Sequence, residues 1–217
     1  MTAQPAILHD YWRSSASYRV RIALNLLAIP YESRTVDLLQ GDHRQEAYLA
    51  LNPQGIVPSL EIGGKVLTQS LAIIEYLHAT TGHSALLPDD PHGQYRVRQL
   101  SYAIAMEIHP VCNLSVATHM AGLTGGDEMT KAAWMQHFIA KGLAALEGLL
   151  QQGDAGTCCA GDTPSMADCC LIPQLYNADR WGVSYERHER IRRIADNLHR
   201  IDAFRDAHPD RVGPPAR

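Results

Sequence analysis

The 217-residue sequence contains no apolar run close to the roughly 20 residues that a membrane-spanning helix needs, so no membrane segment is expected. It has no strongly basic stretch. Nineteen Lys and Arg face 23 Asp and Glu, a formal charge of −4, which argues against a nucleic-acid partner held through phosphate contacts. Residues 1–10 lack a basic segment followed by an apolar one, so no secretory signal is read and a cytoplasmic chain is expected. Neither a dinucleotide-type glycine fingerprint nor a phosphate loop is present, which leaves nucleotide chemistry without a site. The eleven histidines are scattered without metal-ligand spacing. Cysteine is scarce and odd in number: five, four of them in the adjacent pairs Cys158-Cys159 and Cys169-Cys170. Neighbours on a helix point apart, and zinc ligands are usually spaced by two or more residues. The thiols therefore read as buried groups of a reducing compartment, and no metal is expected.

What is present is a chain able to bury a sizeable core, 46% hydrophobic and 19% charged. The first 80 or so residues alternate between two periods. Ile7 to Trp12 suits a strand; Val20, Ala23, Leu24 and Leu27 then fall on one helical face, which Pro30 ends. Tyr31 to Asp37 reads as a second strand, and Gln45–Leu51 as a short helix broken by Asn52-Pro53. Val57–Ile62 and Lys65–Thr68 flank Gly63-Gly64, a hairpin signal, and Ser70 is placed to cap a helix carrying Leu71, Ile73, Ile74 and Leu77. The order is β-α-β-α-β-β-α. Residues 84–93, rich in Pro, Asp and Gly, read as a linker, with Leu86-Leu87 anchoring on one domain.

Only helical periods follow. Val97, Leu100, Ile104 and Ile108 form one stripe, with Pro110 set to end it. Ile139, Leu143, Leu146 and Leu150 form a second, and Ile191, Ile194, Leu198 and Ile201 a third. Ser165 to Asp168 resembles a capping box, so Asp168 reads as structural. The expected architecture is α/β plus all-α: a domain at 1–83, the linker, and an all-helical domain at 94–217 whose tail frays after Asp210.

Three features of the first domain point to one kind of ligand. The strand-to-helix turn around Arg13, Ser14, Ser15 and Ser17 puts hydroxyls at a helix N-terminus, where unpaired N–H groups and the helix dipole attract an anion, including a thiolate. Val57-Pro58, entering a strand, leaves backbone groups available to an extended peptide. Gln69-Ser70 opens a second helix that can hold a carboxylate. Each has a plain structural alternative, two caps and a loop proline. Their convergence suggests a small anionic thiol peptide.

The run Arg13-Ser14-Ser15-Ala16-Ser17-Tyr18-Arg19-Val20-Arg21-Ile22-Ala23-Leu24 resembles the signature of zeta-class glutathione transferases. Ala50–Pro58, Gln69–Leu77, His109-Pro110, Asn113–Val116, Met166–Gln174, Asn177–Arg180 and Asp202–Phe204 resemble the family's further blocks, so the likeness covers nearly the whole chain. The resemblance implies a thioredoxin-like N-terminal domain, a helical C-terminal domain and a homodimer, with glutathione as cofactor. It implies glutathione-dependent cis–trans isomerisation of an acidic diketo acid, maleylacetoacetate to fumarylacetoacetate, in tyrosine and phenylalanine breakdown.

Position by position, Ser14 matches the hydroxyl facing the glutathione sulfur, with Ser15 beside it. Val57 matches the backbone contact, before a cis Pro58; Gln69 and Ser70 match the γ-glutamyl carboxylate contacts. His43, His109, Asn113, Leu114 and Ser115 match further glutathione contacts, and Arg13 and Arg180 match cations facing the substrate in a cleft between the domains. Where the family motif has Cys, this chain has Ala16, so no side chain can act there. The alternatives are a maleylpyruvate isomerase, whose relatives in part carry Arg at the Ser115 position, a broader transferase, and a non-catalytic glutathione-binding stress module.

Overall fold

A computed structural model describes residues 5–82 and 86–214. The chain divides into two compact units, residues up to Leu87 together with those from Arg200 onward, and Pro88–His199. The first two positions of the expected linker, 84 and 85, lie outside the described residues, as do the last three of the tail. Leu86 and Leu87 are buried and go with the first unit.

In the first unit β1 (Ala6–Asp10), α1 (Ser15–Leu26) and β2 (Tyr31–Thr35) form a β-α-β crossover, β1 and β2 pairing in parallel from Ala6↔Tyr31 to Asp10↔Thr35. A 3₁₀ turn at Asp42–Arg44 and α2 (Glu46–Leu49) follow. Then β3 (Ser59–Ile62) pairs antiparallel with β1 and, through a two-glycine turn, with β4 (Lys65–Thr68). Gly63 and Gly64 both have positive φ, 55° and 73°, the conformation that a tight two-residue hairpin requires. The sheet order is β2-β1-β3-β4. Helix α3 (Ser70–Thr81) packs beside α1. Leu8, Leu60, Val20, Leu24, Ile73, Ile74 and Leu77 are fully buried and form the core of this thioredoxin-like unit.

The second unit is helical: α4 (Pro91–Tyr102), α5 (Leu114–Thr124), α6 (Glu128–Gln151), α7 (Met166–Arg180) and α8 (Glu189–Leu198). The stripe Val97, Leu100, Ile104, Ile108 is buried, but α4 stops at Tyr102 and a π-helical segment, Ala103–Ile108, continues it. Any side chain at Gly142 of α6 would collide with Ile108, so this glycine leaves the space that the Ile108 side chain fills. Ser165 and Asp168 form the expected capping box on α7. Asp168 also accepts from Cys159 N–H at 2.9 Å, and burial raises its carboxyl above the ordinary range.

From Arg200 the chain returns to the first unit as α9 (Asp202–Asp206) and α10 (Pro209–Val212), with α9 against α1. Two expectations need correction. Ile201 does not extend the α8 stripe; it precedes α9, because α8 ends at Leu198. Cys158-Cys159 lies in the loop before α7, so the argument from helical neighbours applies to Cys169-Cys170 alone. All five thiols are free and buried, and among the described residues no group of three or more potential ligands could hold a metal. No described helix is long and apolar enough to cross a membrane.

Candidate active site

Within the first unit, three breaks in regular structure converge. The first is the β1–α1 turn. Ser14 N–H donates to Tyr11 C=O at 2.8 Å, and Ser14 Oγ accepts from Ser17 N–H at 3.2 Å, so Ser14 is the N-cap of a 12-residue helix. As an acceptor in that bond, the hydroxyl keeps its hydrogen free to donate outward. Capping and anion binding are therefore compatible uses of one side chain. No acidic residue occupies the first turn of α1, so nothing there opposes an incoming anion. Arg13 donates to Tyr11 Oη at 3.3 Å and lies over the Trp12 ring, 4.7 Å from its centroid. Ser15 is half-buried and opens α1.

The second break is the approach to β3. The Val57-Pro58 peptide is cis, and the strand starts only at Ser59. Val57 packs its side chain with Tyr11, Val36 and Tyr48, while its backbone makes no main-chain hydrogen bond among the described residues. The preceding carbonyl is held firmly: Ile56 C=O accepts from Tyr48 O–H and from Asn52 Nδ2, both at 2.7 Å. A rigid loop thus offers an unpaired backbone segment where an extended peptide can add.

The third is the β4–α3 turn. Sequence placed the cap at Ser70. In the structure Gln69 is the N-cap residue, with no side-chain capping bond, and Ser70 is the first helical residue. Gln69 has φ 67°, a conformation that costs a residue with a side chain on the order of 1–3 kcal/mol and tends to persist at functional sites. Its Nε2 donates to Gln54 Oε1 at 2.7 Å, tying this turn to the Val57 loop. Ser70 Oγ accepts from Arg19 Nη1 of α1 at 3.3 Å, tying it to the first turn's helix. His43 sits beside the same loop: a side chain at Gly55 would press on the His43 carbonyl, at 3.1 Å. Burial, with Arg44 close by, lowers the His43 pKa and favours neutral imidazole.

The remaining candidates are in the second unit. His109 ends the π-helical segment, its N–H bonded to Ile104 C=O at 2.9 Å. Asn113 caps α5, its Oδ1 accepting from Ser115 N–H at 3.0 Å and Ser115 O–H at 2.8 Å; Leu114 and Ser115 are exposed. Arg180 is exposed in the last turn of α7, a position that the helix dipole alone would favour for a cation. Sequence reasoning passed over Arg19, Tyr48, Asn52 and Gln54, which brace the three breaks. Only Asn52 carried a signal, as half of a chain-breaking Asn-Pro pair.

A small anionic thiol peptide fits this first-unit arrangement. A helix N-terminus with a hydroxyl donor suits its sulfur, an unpaired extended backbone suits its main chain, and a second helix N-terminus suits its carboxylate.

The family model for the glutathione S-transferase N-terminal domain matches residues 8–85, and that for the C-terminal domain matches 129–209. The chain is 53% identical to a maleylacetoacetate isomerase of Rhizobium meliloti, over 98% of this chain and all of that one. Its fold matches the holo structure of a maleyl pyruvate isomerase, described as a bacterial zeta-class glutathione S-transferase. That match has a TM-score of 0.92 and 40% identity over 97% of this chain and 100% of the other. It equally matches a maleylacetoacetate isomerase of Methylobacterium extorquens AM1 with bound malonate and GSH: TM-score 0.92, 37% identity, 97% and 100% covered.

Proposed function

This chain belongs to the zeta class of the glutathione S-transferase family, and on that premise we propose that it is a glutathione-dependent enzyme isomerising maleylacetoacetate to fumarylacetoacetate. The observation that carries the reading is the bracing of three backbone breaks, at Ser14, Val57 and Gln69, around one stretch of the first unit. The likeness to proteins named for this reaction supports it.

Glutathione, when bound, would supply the thiol nucleophile that lets the cis double bond isomerise and would be released unchanged. The chain's part is to hold that thiol as its anion. A free thiol titrates near pH ~8.5, and lowering that by about two takes roughly 2.7 kcal/mol of preference for the anion. The α1 N-terminus contributes about 0.3–1 kcal/mol, and an O–H bond from Ser14 about 1.5–3 kcal/mol. Together they contribute about 1.8–4 kcal/mol, a range that brackets this requirement, with Ser15 as the neighbouring hydroxyl. Ala16, where relatives carry Cys, takes no part. Val57 orients the peptide through its backbone, and Gln69 and Ser70 receive the γ-glutamyl carboxylate. His43, His109 and the segment Asn113, Leu114 and Ser115 add contacts. Arg13 and Arg180, as fork-shaped cations, bind the substrate's carboxylates and steady the charge that develops beside them. A cytoplasmic homodimer completes the reading.

Likeness to a maleyl pyruvate isomerase favours that substrate as the second reading. Initial rates for both maleyl acids, with and without glutathione, separate them. A clear kcat/KM advantage for maleylacetoacetate supports the first reading, and the reverse order replaces it. Absence of turnover on either acid, with glutathione bound, would leave a binding module.

A further inference from the structure

Arg21 is fully buried at the centre of a junction that Ser14 itself does not explain. Its Nη1 donates to both carboxylate oxygens of Asp10, at 2.8 and 2.7 Å. Its Nη2 donates to Trp12 C=O at 3.0 Å, and its Nε to Ala207 C=O at 3.0 Å. Asp10 ends β1, Trp12 lies inside the β1–α1 turn, and Ala207 follows α9. One guanidinium thus joins the strand before the turn, the turn itself and the returning C-terminal segment.

Two neighbours on the same face of α1 also anchor the last of these through their side chains. Tyr18 O–H donates to Phe204 C=O at 3.4 Å, and Asn25 Nδ2 to Ala203 C=O at 3.0 Å. The Arg21 side chain also reaches into the turn, at the Trp12 carbonyl.

From this we propose that Arg21 is a positioning residue for the isomerase: by pinning the Trp12 carbonyl against Asp10 and Ala207, it fixes the turn that aims Arg13 and the Ser14 hydroxyl. The proposal rests on the reading that Ser14 faces the glutathione thiol. The turn is short, since Ser14 N–H already bonds Tyr11 C=O. The Trp12 peptide between them is therefore the remaining freedom, and its tilt sets where the cap hydroxyl points. The charge of Arg21 is not what acts on the thiol, because Asp10 neutralises it at contact distance. What acts is the fork. Lysine keeps the charge, but its donors sit on one nitrogen and do not span the acceptors that Nη1, Nη2 and Nε reach separately.

The test is R21K, compared with wild type, S14A and N25A, in the full-length protein with glutathione bound. Each is read by thermal melting, by ultraviolet titration of the bound thiol, and by kcat and KM. R21K is expected to raise the thiol pKa by about 1, which cuts the thiolate present at neutral pH several-fold, and to lower kcat accordingly. KM for glutathione should stay within about two-fold, since Val57, Gln69 and Ser70 are untouched. N25A loosens the C-terminal segment without touching the turn, so it should lower the melting temperature and leave the thiol titration unchanged.

A wild-type thiol pKa in R21K, with or without lost stability, would overturn the proposal and leave Arg21 as scaffold. If R21K does not fold, D10N/R21Q removes both buried charges together and is measured the same way. Failure of that variant also to fold would assign Arg21 a purely structural role. An ordinary thiol pKa in the wild type itself would instead sink the Ser14 reading, and with it the premise of the test.

Discussion

Replacing Ser14 separates two jobs that one hydroxyl performs. As N-cap, its oxygen accepts from Ser17 N–H at 3.2 Å, a long bond at a half-buried position, so the low end of the usual capping range applies. Ser14→Ala should therefore cost about 0.5–1 kcal/mol of stability, or about 1–4 °C in melting temperature for a chain of this size. As donor to the glutathione thiolate, the same hydroxyl contributes about 1.5–3 kcal/mol, so its loss should raise the bound thiol's pKa by about 1–2. Ser14→Gly divides the effects, because glycine is a tolerable cap and its penalty is a few tenths of a kcal/mol. The expected pattern is a near-normal melting temperature in Ser14→Gly with a thiol titration displaced as far as in Ser14→Ala. Ultraviolet titration of the enzyme–glutathione complex across pH 5–9 reads the displacement, and differential scanning calorimetry reads the stability. If both variants titrate as the wild type does, Ser14 is a cap only. Ser15, next along the helix, would then be the hydroxyl to replace.

Arg180→Ala, at an exposed helix end, should leave stability within about 0.5 kcal/mol and glutathione affinity unchanged. It should lower kcat/KM for the acid substrate about 10–150-fold, as for a lost charged hydrogen bond; near-normal kcat/KM returns Arg180 to the surface. Asp168→Ala leaves the buried N–H groups of Cys159 and Ser165 without their acceptor, so it should cost about 3 kcal/mol and about 6–12 °C in melting temperature. The thiol titration of bound glutathione should not move in that variant, and a displaced curve would give Asp168 a part in the site. Burial pushes the Cys112 thiol up to about 11 and Cys158 up to about 12. At pH 8 about one Cys112 in a thousand is then thiolate, so a thiol reagent should modify the native protein slowly and all five cysteines only after unfolding. Fast stoichiometric labelling of the native protein would refute the burial argument.

What is legible in the sequence follows from how local its cause is. The two-glycine hairpin, the α1 face and the Ser165–Asp168 box each rest on residues within a few positions, and all three stand in the structure. The π-helical segment is not legible from the period of its own residues, and the room that its last side chain, Ile108, fills is left by Gly142 on another helix. Ile201 fell on the α8 stripe by period alone, yet the chain had already left that helix for the first unit. Ser70 looked like a cap by residue type, but Gln69 takes that position with a positive φ that no local rule foresees for glutamine. The candidate site divides the same way. Ser14 could be named from a strand-to-helix turn, whereas Arg21 is an ordinary apolar-face interloper until Ala207, 186 residues on, supplies its third acceptor. Family likeness, not pattern, named Arg180.

The most direct measurement is the fate of glutathione during turnover. With maleylacetoacetate in large excess over glutathione, the protein should convert many acids to fumarylacetoacetate per glutathione and return the thiol unmodified. A stoichiometric loss of free thiol, with a stable adduct in place of the trans acid, would contradict isomerisation and make the chain a transferase. Conversion at the same rate without glutathione would contradict the thiolate chemistry around which the Ser14, Val57 and Gln69 arrangement is read.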